Sequence, residues 1–221
     1  ARLFGIMAGR ELGLPTPKLV KGLKFGIINN VAMENLIDLT EKAFQISIDK
    51  LKDAGANISE LSVGSVDEAM DLTGLLYSPE AYATWKDKIE KSPDLMFEKI
   101  LERFRSGADV LASDFIWAWN KLMDLRQQYH SAVQAFDAIL IPTSPIIPPE
   151  KDRLMKDGDF YNSQNLLALR NTRIGNLMGG CSITLPTDIP SCGILIMGRP
   201  NEEERLLRLA QACELVLAKN Q

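Results

Sequence analysis

The chain has 221 residues, which is enough to bury the core of one large α/β domain. Its 25 Lys and Arg and 29 Asp and Glu are interspersed and give a formal net charge of -4, so we expect no basic surface and no direct binding to nucleic acid. No segment approaches the roughly 20 consecutive apolar residues that a membrane-spanning helix requires, and no membrane partner is expected.

Cysteine and histidine are too sparse to indicate a cofactor. Cys181, Cys192 and Cys213 lack CxxC spacing and His130 is the only histidine, so the pattern indicates neither a disulfide framework nor a metal site. Such a set is typical of a reducing compartment, and we expect a cytoplasmic protein with no cofactor. The chain opens without an initiator Met or a secretory signal, so we expect that an upstream segment is missing.

The first predicted unit is a strand, a helix and a second strand. Residues 23–28 (LKFGII) are an apolar run with β-branched members, which is typical of a buried strand. Gly55 suits the left-handed residue that ends the following helix, whose apolar face is predicted at Ile37, Phe44, Ile48 and Leu51. Residues 57–63 are again predicted to be extended. Short connections of this kind require a crossover and predict neighbouring parallel strands.

The middle of the chain is predicted to be helical. We expect helices over residues 65–88 with an interruption at Ser78-Pro79, over 94–105, and over 110–135. A repeat of three and four predicts that the last helix lies along the core through Leu111, Phe115, Ala118, Leu122, Leu125, Tyr129 and Val133. Its aromatic residues Phe115, Trp117 and Trp119 have an alternative interpretation as a ligand-stacking surface, although packing alone explains a stripe at this spacing.

The last third of the chain is predicted to alternate strands and helices. Residues 136–141 (FDAILI) form the clearest strand, apolar on both faces, and this strand stops at Pro142-Thr143-Ser144-Pro145. A surface loop over 146–158 and a helix over 161–177 are predicted next, followed by strands over 181–185 and 193–197.

The final helix has clear signals at its start. Asn201 is predicted as its amino-terminal cap, with Glu202 to Glu204 in the first turn and a buried stripe at Leu206, Ala210, Cys213 and Leu217. Glu204 and Arg208 are spaced to pair across one turn. The expected fold is therefore a single α/β domain, with a mixed, largely parallel twisted sheet layered with helices.

Three segments, in this order, resemble the second half of the amidase signature family. Residues 137–145 (DAILIPTSP) match the family's D-x-L-L-x-P-T-x-P strand, and residues 176–186 (NLMGGCSITLP) match N-x-x-G-x-P-x-x-x-x-P except at Cys181. Residues 198–207 (GRPNEEERLL) match a G-R-P-x-x-E-x-x-L-L helix. With weaker matches upstream, the resemblance covers residues 22 to 214. It implies that residues 1–221 are the carboxy-terminal portion of a single amidase domain.

The resemblance also implies a chemistry whose reacting groups are not in this chain. Members of the family hydrolyse carboxylic amides to an acid and ammonia or an amine, with a serine nucleophile, a second serine on a cis peptide and a lysine base. The glycine- and serine-rich run (GGSSGG) that bears the serines has no counterpart here. We therefore expect no catalytic residue in this chain, no turnover by it alone, and a partner in the amino-terminal half of the same protein.

One segment superficially resembles a nucleophile loop. Gly179-Gly180-Cys181-Ser182 contains two candidate nucleophiles, but Asn176 before it and Pro186 after it place it on the family's structural strand, and no base is adjacent. His130, on the long helix, has no nucleophile motif near it in sequence. We interpret Cys181 and Ser182 as the start of a packed strand.

Four residues are candidates for binding a small amide substrate. Thr143 and Ser144 follow the clearest strand, where α/β sheets place ligands, although Ser144 is equally explained as a turn residue. Asn176 has either a substrate role or a structural role, in which it hydrogen-bonds loop backbone. Arg103 falls where some relatives carry an arginine that binds a substrate carboxylate, although a solvated helix end explains it as well.

Two alternatives to a simple amidase remain. Glutamyl-tRNA amidotransferase A subunits carry an acidic residue seven positions before the conserved Asn, and Leu169 stands there in this chain, which favours a less polar substrate than glutamine. A non-catalytic α/β scaffold or binding protein is the other alternative. A half-sheet on its own exposes an unpaired edge and an apolar face, which makes that alternative physically unfavourable.

Overall fold

The computed structural model describes residues 1–9 and 19–218. The strands are β1 (Lys24–Ile28), β2 (Asn57–Leu61), β3 (Ala138–Pro142), β4 (Ser182–Pro186) and β5 (Gly193–Met197). The α-helices are α1 (Arg2–Met7), α2 (Asp38–Asp53), α3 (Gly64–Asp71), α4 (Thr73–Ile89), α5 (Glu98–Arg105), α6 (Ala112–Val133), α7 (Lys151–Lys156), α8 (Gly158–Ala168), α9 (Arg170–Met178) and α10 (Glu203–Leu217).

The chain divides into two compact units. The first comprises Ala1–Val63 and His130–Gln221 and contains the whole sheet, and the second comprises Gly64–Tyr129 and is helical. The expected single amidase domain over residues 1–221 stays a prediction. Within the described ranges, none of the helices combines the length and the apolar character needed to cross a bilayer.

The sheet of the first unit has five strands in the order β2-β1-β3-β5-β4. Strand β1 pairs in parallel with both β2 and β3, whereas β5 pairs antiparallel with both β3 and β4. The predicted strand-helix-strand unit is confirmed, since α2 connects the parallel strands β1 and β2. The predicted α/β class with a mixed sheet is also confirmed.

Burial explains which strands the sequence signals most clearly. Strand β3 is buried along its whole length, and β1 is buried from Phe25 to Ile28, because helices and side chains cover both faces of the sheet centre. Strand β4 lies at the edge and exposes Ser182, Thr184 and Pro186, as its alternating sequence predicts. Gly26 in β1 leaves room for its neighbours, since a Cβ there would lie 2.8 Å from terminal methyl carbons of Ile139 and Leu61, which would have to shift.

The helical interruption predicted at Ser78-Pro79 is wrong. Pro79 lies inside α4, and the chain breaks earlier, at Leu72, between α3 and α4. A proline removes one main-chain hydrogen bond, which a helix of 17 residues tolerates in this setting. At the actual break, the Thr73 hydroxyl donates to the Met70 oxygen at 2.9 Å and so satisfies a carbonyl at the end of α3.

Four other predictions about the helices and their connections need correction. The start of α10 is capped by Glu202 without a side-chain bond, whereas Asn201 has a φ of 61° and serves as a left-handed turn residue. The loop predicted over residues 146–158 contains α7, and the helix predicted over 161–177 is divided into α8 and α9 at Leu169. Leu111 is 65% exposed and precedes α6, although the core contacts predicted from Ala118 to Val133 are confirmed.

Candidate functional site

The strand order places a candidate site at the carboxyl ends of β1 and β3. From β1 the chain crosses to β2 on one side, and it later returns as β3 on the other side of β1. The loops after β1 and β3 therefore leave neighbouring strands in opposite directions. Open α/β sheets bind ligands at such a switch point, because the diverging loops leave a crevice there. We call residues 29–37 the β1 loop and residues 143–150 the β3 loop.

The β3 loop contains Thr143 and Ser144, both half-buried. The main-chain nitrogen of Thr143 donates to the Gly193 oxygen at 2.9 Å, and its hydroxyl lies 3.3 Å from that of Thr184. The Ser144 hydroxyl donates to the Ile146 oxygen at 2.9 Å and accepts from the Ile146 nitrogen at 3.3 Å. Ser144 is thus engaged in holding the turn, and Thr143 is the better placed of the two to offer a hydroxyl to a ligand.

A buried amide that the sequence analysis missed joins the two loops. Asn171, on α9, is 0% exposed, and its Nδ2 donates to the Pro142 oxygen at 2.7 Å and to the Ala32 oxygen at 2.9 Å. Ala32 lies in the β1 loop and Pro142 ends β3, so one side chain fixes the spacing of both strand ends. Buried carbonyl groups need such partners, because an unpaired one costs free energy.

Arg170 precedes this amide and is 7% exposed. Its Nη2 donates to the main-chain oxygen of Glu34 at 2.6 Å, and its Nε donates to Oδ1 of Asn171 at 3.2 Å. Burial lowers the pKa of Arg170 from its ordinary value, and the negative charge of Glu34 opposes that shift in part. The guanidinium therefore lies at the β1 loop as a buried cation.

The substrate interpretation and the structural interpretation of Asn176 both stay predictions. It is exposed in the last turn of α9, where its main-chain oxygen accepts from the Gly179 nitrogen at 3.2 Å. The Asn171 side chain, five residues earlier, hydrogen-bonds the backbone of Ala32 and Pro142. A sequence signal for this existed, since Asn171 stands in the buried stripe of α9 that continues through Ile174 and Met178, where an apolar residue is expected.

Arg103 lies in the second unit, near the end of α5, whereas Thr143, Ser144 and Asn176 lie in the first. Its side chain is half-buried, and its main-chain oxygen accepts from the Ser106 hydroxyl at 2.8 Å. The role of Arg103 in binding stays a prediction, as do the roles of the other three residues.

The segment that resembles a nucleophile loop has the environment of a packed strand. Ser182 is the first residue of β4, and the Cys181 thiol donates to the Arg199 oxygen at 3.1 Å. Burial raises the pKa of the Cys181 thiol, and the charge of Glu203 raises it further. An activated cysteine needs the opposite shift, toward the thiolate. His130 lies in the last turn of α6. Across residues 1–9 and 19–218, no group of three His, Cys, Asp or Glu side chains is arranged to hold a metal ion.

Comparison with known proteins decides the family. A family model described as Amidase matches residues 8–207. The chain therefore belongs to the amidase family. Among curated relatives, it is 25% identical to the 2-amino-5-chloromuconic acid deaminase of Comamonas testosteroni over 99% of this chain and 49% of the relative. It is 27% identical to an amidase of Pseudomonas putida, over 97% of this chain and 50% of the relative.

Other amidase-family relatives are amidotransferase subunits. The A subunit of the glutamyl-tRNA(Gln) amidotransferase of Desulforamulus reducens is 25% identical over 88% of this chain and 45% of its own length. The fold agrees with a crystal structure of an amidase, which superposes with a TM-score of 0.78 at 19% identity and covers 98% of this chain and 50% of that one. The chain thus spans about half the length of the curated relatives that it matches.

Proposed function

We propose that this chain is the carboxy-terminal, substrate-pocket part of an amidase that hydrolyses a carboxylic amide to an acid and ammonia or an amine. The observation that carries the proposal is the family match over residues 8–207 in a chain that spans about half of each relative. The serine nucleophile, the second serine and the lysine base would then belong to an upstream half, because the GGSSGG run has no counterpart in the 221 residues.

The chain's own contribution, on this proposal, is one wall of the acyl pocket. Its β1 and β3 loops meet at the carboxyl edge of the sheet, where the Ile37 nitrogen donates to the Pro145 oxygen at 3.1 Å. Asn171 Nδ2 lies 2.9 Å from the Ala32 oxygen of the β1 loop and 2.7 Å from the Pro142 oxygen at the end of β3. Fixed walls speed hydrolysis by holding the amide carbon in reach of a nucleophile, since orientation lowers the entropic part of the barrier. Thr143 is the first candidate for a hydrogen bond to substrate, followed by Ser144, Asn176 and Arg103.

The test compares the chain alone with the complete polypeptide, by which we mean the upstream half joined to residues 1–221. Ammonia release is measured over a panel of simple amides and of amides that carry a carboxylate, since one relative is named for a carboxylic acid. We expect turnover by the complete polypeptide and none by the chain alone. Robust turnover by the chain alone that is lost on Ser182→Ala would overturn the proposal.

An amidotransferase A subunit is the second candidate, because several curated relatives carry that name at similar identity. Leu169 opposes it, since it is 47% exposed at the position of the acidic residue that helps to hold glutamine in that subunit class. Glutaminase activity of the complete polypeptide would favour this candidate. Hydrolysis of simple amides with no activity on glutamine would favour the amidase.

A further inference from the structure

We propose that Arg170 binds a carboxylate of the substrate, so that the preferred substrates are amides whose acyl part carries a second, free carboxylate. This inference rests on the proposed amidase function and adds the class of substrate. Its basis is a buried cation that has no ion pair, held at the switch point of the sheet.

The charge of Arg170 is not neutralised by a bonded carboxylate. The side chain is 7% exposed, and within the described part of the chain its contacts are the Glu34 main-chain oxygen, the Asn171 amide oxygen and the electrostatic influence of the exposed Glu34 carboxylate. Buried charges in proteins are normally paired, because desolvation of an ion costs several kcal/mol. A guanidinium that lacks such a bonded partner in the free protein is suited to receive one from a ligand.

The N–H groups of Arg170 that remain unused can bind a carboxylate in the preferred geometry. Nε and one proton of Nη2 are used at 3.2 and 2.6 Å, whereas Nη1 makes no hydrogen bond to the residues that the structure describes. Nη1 is not among the side-chain atoms that are both fully buried and without a partner in the described part of the chain, which are Ser65 Oγ and Gln211 Oε1. Nη1 therefore keeps some contact with solvent. Nη1 and the adjoining side of Nη2 form the edge of the guanidinium that can bind both oxygens of a carboxylate.

The neighbouring contacts hold this edge of the guanidinium in one orientation. Asn171 accepts from Nε while its own nitrogen bonds Ala32 and Pro142, so the guanidinium is linked through Asn171 to the β1 loop and to the end of β3. A ligand at the switch point would meet a cation whose direction is already set, which reduces the entropy lost on binding. The competing explanation is that Arg170 only anchors the β1 loop through Glu34, a role that needs one donor and no charge.

The test uses the complete polypeptide and matched substrates. Succinamic acid and glutaramic acid are compared with their methyl esters, which have the same amide and no charge. We expect kcat/KM of the unchanged protein to be at least about 10-fold higher for the acids, since a hydrogen-bonded charge pair contributes an effect of that order. Arg170→Gln should lower kcat/KM for the acids roughly 10- to 100-fold, mainly through KM, and leave the esters within about 3-fold.

Two control variants separate this role from others. Arg208→Gln removes a half-buried arginine of α10, outside the candidate site, and should change kcat/KM for neither substrate class. Arg103→Gln tests the rival arginine in the same assay. The inference is overturned if the acids are not preferred, if Arg170→Gln lowers acids and esters equally, or if Arg103→Gln alone removes the preference. In each of these cases, cleavage of the amide bond in the methyl ester substrates still supports the proposed amidase function.

A measurement on the unchanged protein covers the case in which Arg170→Gln does not fold. Succinate should competitively inhibit cleavage of the amide bond in the methyl ester substrates. It should bind at least about 10-fold more tightly than monomethyl succinate, because its second carboxylate adds the charged contact. Equal inhibition by the two compounds would overturn the inference. Absence of hydrolysis of every amide would overturn the proposed amidase itself, and this inference with it.

Discussion

Asn171 donates to the main-chain oxygen of Pro142 at 2.7 Å, from the first turn of α9 to the last residue of β3. The same nitrogen bonds Ala32 at 2.9 Å, in the loop that follows β1. One buried amide therefore satisfies two carbonyl groups where the neighbouring parallel strands β1 and β3 end and their loops diverge.

Replacing this amide should destabilise the fold. Asn171→Ala leaves the oxygens of Ala32 and Pro142 buried and unpaired, and we expect a loss of about 2–4 kcal/mol in the free energy of unfolding, measured by chemical denaturation of the complete polypeptide. Asn162→Ala, at an exposed position of α8, is the matched control and should change stability by less than about 0.5 kcal/mol. Equal effects of the two variants would contradict the structural role of Asn171.

The contacts of Asp137, just before β3, give a second prediction. Asp137 Oδ1 accepts from Arg205 Nη2 at 2.6 Å, and its Oδ2 accepts from the Lys24 main-chain nitrogen at 2.8 Å. A double-mutant cycle of Asp137→Ala and Arg205→Met should give a coupling energy of about 1 kcal/mol, because both groups are partly shielded and share further bonds. The longer pair Glu204–Arg208, at 3.9 Å with side chains 44% and 40% exposed, should give less than about 0.5 kcal/mol.

Thr143 can be separated from the bond that it makes within the protein. Thr143→Val removes a hydroxyl and keeps the shape, and we expect kcat/KM of the complete polypeptide for its best amide to fall about 3- to 10-fold. Thr184→Val removes the other partner of the 3.3 Å hydroxyl contact and is the matched control, expected to stay within about 2-fold. If both variants lose activity equally, the effect comes from their mutual contact and not from substrate binding.

Ser182 provides a test of the nucleophile assignment in the intact enzyme. It is exposed at the start of β4, and the neighbouring Cys181 thiol has a raised pKa, so neither the position nor the environment activates a nucleophile. Ser182→Ala should leave kcat of the complete polypeptide unchanged within about 2-fold. A loss of 100-fold or more in kcat, with an unchanged melting temperature, would indicate that Ser182 is a catalytic residue.

Cys213 makes the fold sensitive to alkaline pH. Burial raises the pKa of this thiol from 9.0 to about 12, so the unfolded chain loses the proton first and stability falls as pH rises from about 9 towards 12. The contribution is fully present below pH 9. The free energy of unfolding then falls by up to about 1.4 kcal/mol per pH unit, and Cys213→Ala removes this dependence. The difference in the free energy of unfolding between the unchanged protein and the variant should therefore shrink between pH 8 and 11. A deficit that is constant with pH would contradict the shifted pKa.

Local pattern was enough to predict the elements whose burial is uniform or periodic. The apolar runs at residues 23–28 and 136–141 and the stripe of α10 are specified by side chains that must leave water, so strand, helix and face follow from spacing alone. Spacing alone was insufficient where the conformation depends on contacts with other parts of the chain. Leu111 fits the helical repeat but precedes α6, and Asn201 looks like a cap but takes a left-handed turn.

The sequence by itself determined the α/β class, the strand-helix-strand unit and the motif order that indicates the amidase family, because these depend on short-range periodicity and on residue identity. Only the tertiary structure decided that Asn171 bonds the backbone of Ala32 and Pro142, and that Arg170 lies buried beside the β1 loop. The physical reason is distance along the chain. The Asn171 amide bonds Ala32, which is 139 positions away, and no local spacing rule can register such a contact.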